Sequence, residues 1–177
     1  MDLKAYNFKE MQLIKYIKDV KDFPTKGIVF KDISPLLANG EALNYTITTM
    51  AELAKEADII VGPDARGFLF GTPVAAFLKK PFIMVRKAGK LPGEVITRKY
   101  ALEYGKNILE IQKGYVQKGQ KAIIIDDVLA TGGTLNAIVD LLESQGVEVI
   151  KIIVLMELTF LDGKSNLKPE VEALIKV

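Results

Sequence analysis

Asp126 and Asp127 stand side by side in the chain, and after two apolar residues come Ala130, Thr131, Gly132, Gly133 and Thr134. The second group has little side-chain bulk. Adjacent glycines allow positive φ and let backbone N–H groups approach an anion closely, and the two threonines add hydroxyls. At a helix start such a loop suits a single phosphate, because first-turn N–H groups lack intrahelical acceptors and the macrodipole favours negative charge. Acids beside a phosphate repel it, by roughly 4 kcal/mol for unit charges about 4 Å apart at an effective dielectric of about 20. Ribose hydroxyls or a bound Mg²⁺ absorb that cost, so a phosphorylated sugar fits. The plain alternative is an ordinary turn with solvated acids. No complete G-x-x-x-x-G-K-[ST] or G-x-G-x-x-G string occurs, which points away from the commoner phosphate loops and from a dinucleotide.

Asp64, Ala65 and Arg66 form a second candidate, after Gly62-Pro63 and before Gly67. Backbone N–H groups there, with the Arg66 guanidinium, suit a second phosphate or a pyrophosphate. The competing reading is a helix start capped by Asp64, with Arg66 on the surface. A third group, Arg86, Lys87 and Lys90, lies in a stretch punctuated by Gly89, Pro92 and Gly93. Alone it reads as solvated cations; beside two phosphate sites it reads as a basic lid.

The elements that must position these groups alternate along the chain. Residues 122–125 form a β-branched run, as in a strand buried on both faces. Leu135, Ile138, Val139 and Leu142 then recur at helical spacing, with Gly146 as the C′ residue. Residues 59–61, 82–85 and 149–156 read as further strands, and 40–57 and 67–78 as helices. An amphipathic helix is expected over 10–20, then a connection over 23–37 with a short apolar stretch at 28–30. Residues 89–100 read as a mobile loop, and 107–111 as a short strand able to pair with 95–97 in a hairpin. This order predicts an α/β fold, a parallel, helix-flanked sheet with right-handed crossovers. If Asp126 and Asp127 are both in strand geometry their side chains diverge, which makes them two separate hydroxyl ligands rather than a shared-proton dyad.

The chain has 177 residues, 49% of them apolar and 26% charged, with a formal net charge of +2. That suits one globular domain over 1–177 and gives no sign of a nucleic-acid partner. There is no cysteine and no histidine, so disulfides, thiolate nucleophiles, Ser-His-Asp triads and histidine bases are excluded. No signal peptide or membrane-spanning run is visible, so the expectation is a cytoplasmic protein with no membrane partner.

The strand, the two acids and the T-G-G-T loop together resemble the type I phosphoribosyltransferases. The resemblance extends to DFPTKGIVFKDISPLL at 22–37, GPDARGFLFG at 62–71, RKAGKLPGEV at 86–95 and LEYGKNILEIQKG at 102–114, which look like the adenine-using branch. It implies a twisted, mostly parallel sheet flanked by helices, with a small N-terminal hood over roughly 1–37 and a flexible loop. The implied reaction moves the 5-phosphoribosyl group of phosphoribosyl pyrophosphate to adenine, giving AMP and pyrophosphate. Residues 130–134 would hold the 5-phosphate, Asp126 and Asp127 the ribose hydroxyls, and Mg²⁺ would be held mainly by substrate phosphates and hydroxyls rather than by the protein.

The turn at Asp64, Ala65 and Arg66 would bind pyrophosphate, often through a non-proline cis peptide, with Ala65 where many members carry serine. Arg86, Lys87 and Lys90 would lie over the pyrophosphate, with Arg66, Lys90 and Glu103 in the catalytic set. Glu103 would exchange a proton at the purine's imidazole edge, with Tyr104 beside it. Val29, Phe30 and Lys31 look like the adenine hood, with arginine in many relatives where this chain has Lys31. Leu158 would cover the opposite ring face. Members using 6-oxopurines place a lysine at that strand end, and this chain has none between Lys151 and Lys164. The alternatives are an enzyme for hypoxanthine, guanine or xanthine, and a regulator that senses phosphoribosyl pyrophosphate. The resemblance also implies a homodimer.

Overall fold

The computed structural model describes residues 11–102 and 105–177. Contacts divide the chain into two compact units, Met1–Thr48 and Thr49–Val177. In the first, a 3-10 turn at Leu13–Tyr16 leads into β1 (Lys18–Lys21), which pairs antiparallel with β2 (Val29–Asp32). A short helix, α1 (Ser34–Leu37), follows, then α2 (Gly40–Leu53), which continues across the division of the chain. The helix expected over 10–20 is absent from the described part of that stretch. Cross-strand partners outweigh its weak helical periodicity: Val20 lies opposite Phe30, and Lys31 Nζ donates to Asp19 Oδ1 at 2.8 Å. Phe30 also packs edge-on against Phe23, with centroids 5.2 Å apart.

The second unit is built on a seven-stranded sheet in the order β5-β6-β4-β3-β7-β8-β9. Its strands are β3 (Ile59–Pro63), β4 (Phe82–Lys87), β5 (Val95–Leu102), β6 (Gly105–Gln112), β7 (Lys121–Leu129), β8 (Glu148–Glu157) and β9 (Glu170–Lys176). β4, β3, β7, β8 and β9 run parallel, and the β5–β6 hairpin joins β4 antiparallel at one edge. β3 and residues 122–125 of β7 are buried throughout, which is why they read as continuous apolar runs. The expected 95–97 with 107–111 pairing is present and longer than expected, running from Val95↔Gln112 to Leu102↔Gly105. The second half of the stretch read as a mobile loop, from Val95 onward, is therefore strand. β9 was not anticipated.

α3 (Arg66–Leu78) packs on β3, β7 and β4, and α4 (Gly133–Glu143) on β5, β6 and β8. At the end of α4, Gly146 has φ 74, its N–H donates to the Glu143 carbonyl, and the Val147 N–H to the Leu142 carbonyl. That is a Schellman closure with Gly146 at C′, as its position in the sequence predicts. The core lies between these elements, with Ile59, Val61, Ile124, Ile138, Leu141 and Ile152 all fully buried.

One detail of register opens the crevice. β3 pairs with β7 only as far as Val61↔Ile124, whereas β7 stays paired with β8 to Leu129↔Glu157. β7 therefore does not end at Asp126, as its sequence suggests, but carries both acids along a strand that has parted from β3.

Candidate active site

A cleft of about 280 Å³ fills the gap where β3 and β7 part. One wall is the β3–α3 turn with Asp64, Ala65 and Arg66; the floor is Asp126, Asp127 and Val128; the far wall is the loop from Ala130 to the first turn of α4. The crevice lies beyond the carboxyl ends of parallel strands, where ligands of open α/β sheets bind.

The far wall has the geometry of an anion cup. Gly132 is the N-cap of α4 with φ 82, a backbone setting that glycine adopts without steric penalty, and its carbonyl accepts the Asn136 N–H at 2.8 Å. Thr131 is exposed and Thr134 half-buried at the cleft. The β3–α3 turn is brought in by a close approach. A Cβ on Gly67 would stand 2.6 Å from Pro63 Cδ, 3.0 Å from the Ile125 carbonyl and 3.1 Å from Asp126 Oδ1. Glycine there lets the start of α3 press on β7 beside the acids. The Asp64–Ala65 peptide is cis.

Arg66 Nε lies 3.0 Å from Asp127 Oδ2, yet that buried oxygen accepts no hydrogen bond, so the N–H does not point along the contact. Asp126 and Asp127 alternate in burial along β7, as strand geometry requires, but they are not independent. The Asp127 N–H donates to Asp126 Oδ1 at 2.8 Å. Burial, and then the charge of Asp127, push the Asp126 carboxyl well above the usual range. Burial also raises Asp127, but Arg66 opposes the rise. The two acids therefore differ in setting: Asp126 is raised by burial and by its neighbour's charge, whereas Asp127 has a guanidinium beside it that favours the charged form.

Asp64 does not cap α3. Its Oδ2 accepts from Arg86 Nε at 2.8 Å, and Arg86 Nη1 donates to the Lys90 carbonyl at 3.2 Å. Arg86 thus ties the β3–α3 turn to the basic stretch. Lys87 and Lys90 are exposed, in a turn closed by the Lys90 N–H on the Lys87 carbonyl, and do not line the cleft. Glu110 of β6, which the sequence did not single out, is buried and accepts the Gly89 N–H of that turn at 2.9 Å. An acid inside the apolar I-L-E-I run of a strand was the available signal. Val29 is exposed and Phe30 half-buried on β2; Lys31 is committed to Asp19. Leu158 follows β8 and donates its N–H to the Leu129 carbonyl at 2.9 Å. Glu103 and Tyr104 lie outside the described residues.

Residues 32–175 match the phosphoribosyl transferase domain family, the class that this sheet and this cleft define. Over 168 residues the chain is 76% identical to the adenine phosphoribosyltransferase of Mycoplasmopsis pulmonis, covering 94% of this chain and 99% of the relative. Among solved structures, the adenine phosphoribosyltransferase of Thermoanaerobacter pseudethanolicus superposes with a TM-score of 0.89 at 48% identity, over 93% of this chain and 98% of that one. That of Saccharomyces cerevisiae, solved with D-2,5-dideoxy-2,5-imino-altritol 1,6-bisphosphate and adenine, gives 0.87 at 38% identity, over 92% and 96%. The chain belongs to the adenine phosphoribosyltransferase family of transferases. The fold class expected from the resemblance is the one observed.

Proposed function

We propose that this protein transfers the 5-phosphoribosyl group of phosphoribosyl pyrophosphate to adenine, releasing AMP and pyrophosphate. The observation that carries the reading is one cleft uniting Arg66, two adjacent acids and a glycine-lined helix start. The bond from adenine N9 to ribose C1 forms as the bond from C1 to the pyrophosphate oxygen breaks, and the N9 proton passes to Glu103. Positive charge grows on the ribose and negative charge on the leaving group.

Residues 130–134 anchor the 5-phosphate, and that binding energy positions C1. Asp126 and Asp127 hold the ribose hydroxyls, which compensate the buried acids for lost solvent. Asp64, Ala65 and Arg66 receive the pyrophosphate, with Arg86, Lys87 and Lys90 offsetting its charge. Among the described residues no group of three or more acids or histidines is placed to hold a metal ion. Mg²⁺ would be carried mainly by the donor's own oxygens, where it would neutralise pyrophosphate charge, with Asp126 and Asp127 as the hard oxygen groups of the cleft. Base recognition is assigned to Val29, Phe30, Lys31, Tyr104 and Leu158. The absence of lysine between 151 and 164 favours a 6-aminopurine.

Two finer readings accompany this one. A homodimer is supported by α3, whose Leu69 and Phe77 are 44% and 37% exposed, and by Met84 of β4 at 38%. A cytoplasmic setting is supported by the absence of cysteine; among the described residues no helix is long and apolar enough to cross a membrane.

The test is incubation with donor, Mg²⁺ and each of adenine, hypoxanthine, guanine and xanthine, with the nucleotide identified by mass. AMP alone is expected. A 6-oxopurine nucleotide as the main product overturns the base assignment, and donor binding without any product makes the protein a sensor.

A further inference from the structure

A loop that turns its amides toward a ligand needs support behind it. Here the support comes from a 3-10 turn after β8, at Gly163–Asn166. Asn166 Nδ2 donates to the Thr131 carbonyl at 3.2 Å. A Cβ on Gly163 would stand 2.0 Å from the Ala130 carbonyl oxygen and 3.0 Å from Gly132 N, and one on Gly132 would stand 2.6 Å from the Gly163 carbonyl. Two backbones are in direct contact, and a side chain on either glycine would part them.

The turn is itself fastened. Ser165 Oγ donates to the Asp162 carbonyl at 2.8 Å, and Lys164 Nζ to the Val171 carbonyl of β9 at 3.1 Å. Gly163-Lys164-Ser165 has the last three residues of a P-loop string, but Leu158 stands where its first glycine belongs, and the lysine is spent on β9. The turn is a brace and not a second phosphate site.

We propose that Asn166 and Gly163 are positioning residues for the donor's 5-phosphate. The proposal rests on the assignment of residues 130–134 to that phosphate. In a planar trans peptide the C=O and N–H point in opposite directions. A donor on the Thr131 carbonyl therefore holds the Gly132 N–H turned away from Asn166. Loading that carbonyl also polarises the peptide and strengthens the same N–H as a donor to an anion. Gly163 sets how far back the loop can sit. The effect is confined to one of the two phosphate sites, because the side-chain hydrogen bonds of the brace go to Thr131, Asp162 and Val171 and none of these lies in the β3–α3 turn.

The experiment measures the affinities of full-length protein for two probes, ribose 5-phosphate for the 130–134 loop and pyrophosphate for the 63–66 turn. Asn166→Asp keeps the shape and removes the donor; Asn166→Ala removes both. Asn166→Asp should weaken ribose 5-phosphate by about tenfold and leave pyrophosphate within about twofold, with KM for the donor rising and kcat nearly unchanged, tenfold corresponding to about 1.4 kcal/mol. Asn166→Ala should fall between wild type and Asn166→Asp. Gly163→Ala should show the larger loss if it folds. Equal weakening of both probes, or unchanged ribose 5-phosphate affinity in Asn166→Asp, overturns the proposal. Wild-type protein that binds pyrophosphate but not ribose 5-phosphate overturns the phosphate assignment itself, and this inference with it.

Discussion

Arg66 Nε stands 3.0 Å from Asp127 Oδ2, on a carboxylate whose side chain is 4% exposed while that of Arg66 is 39% exposed. One partner is dry and the other reaches water. The arginine thus stabilises a buried charge and remains within reach of an arriving anion.

Replacing Arg66 with glutamine should raise KM for the donor by about tenfold or more, the loss of one charge-assisted contact. It should also make stability more sensitive to pH. Burial raises Asp127 and Arg66 opposes the rise, so without Arg66 the folded-state value climbs further. A carboxyl raised in the folded state contributes stability that is present below its unfolded value and lost as pH rises through the folded one. The melting deficit of the variant against wild type should therefore grow between pH 4 and pH 8, as calorimetry would show. A deficit independent of pH contradicts the pairing.

Asp126→Asn should separate stability from activity. Burial and the charge of Asp127 raise the Asp126 carboxyl, so ionising it works against the fold. Asparagine keeps an acceptor for the Asp127 N–H. The ligand-free variant should melt no lower than wild type at pH 8, its relative advantage shrinking at acid pH. Its KM for the donor should rise at least about tenfold, because the amide's one acceptor oxygen is taken by the Asp127 N–H and none is left for a ribose hydroxyl. A variant that melts lower at pH 8 and binds the donor normally refutes the assignment.

Gly132→Ala combines two faults: φ of 82 and a Cβ 2.6 Å from the Gly163 carbonyl. The left-handed backbone alone costs about 1–2 kcal/mol for a residue with a side chain, and the clash forces the phosphate loop off its brace. Steady-state kinetics should show KM for the donor rising about tenfold or more, with KM for adenine within about twofold. Parallel increases in both would mean that the loop serves the whole fold rather than the phosphate.

Arg86 fastens Asp64 and the Lys90 carbonyl with two different nitrogens, a fork that lysine lacks. Arg86→Lys should therefore behave nearly like Arg86→Ala, each weakening pyrophosphate by about tenfold in titration calorimetry while sparing ribose 5-phosphate. Full recovery by lysine would show that charge alone matters.

Much of this arrangement was legible in the residues, and the reason is burial. β3 and residues 122–125 of β7 are dry on both faces and read as unbroken apolar runs, and β8 as an apolar run interrupted by Lys151; Gly146 marked the end of α4 because positive φ closes a Schellman turn. The two phosphate-type loops announced themselves by glycines and charges at strand ends. What stayed hidden depends on partners far away in the chain. The stretch 10–20 looked helical because Met11, Ile14 and Ile17 happen to fall at helical spacing, whereas its end, β1, pairs with β2 through partners that include Phe30 and Lys31. β9, E-V-E-A-L-I-K, is an edge strand whose burial follows from its place beside β8. No local pattern reveals that Asn166 reaches Thr131 across 35 positions, or that Glu110 takes the Gly89 amide.

Glu103→Gln should lower kcat by about a hundredfold, within the usual range for a general acid or base, while donor affinity changes little. Single-turnover kinetics with saturating donor separate the two. Wild-type turnover in that variant removes Glu103 from the chemistry.

Crystals soaked with ribose 5-phosphate test the central assignment most directly. The phosphate should lie within about 3 Å of the backbone nitrogens of residues 131–134, with ribose hydroxyls on Asp126 and Asp127. A phosphate bound instead at Arg66 and Ala65, with the 130–134 loop empty, would contradict it.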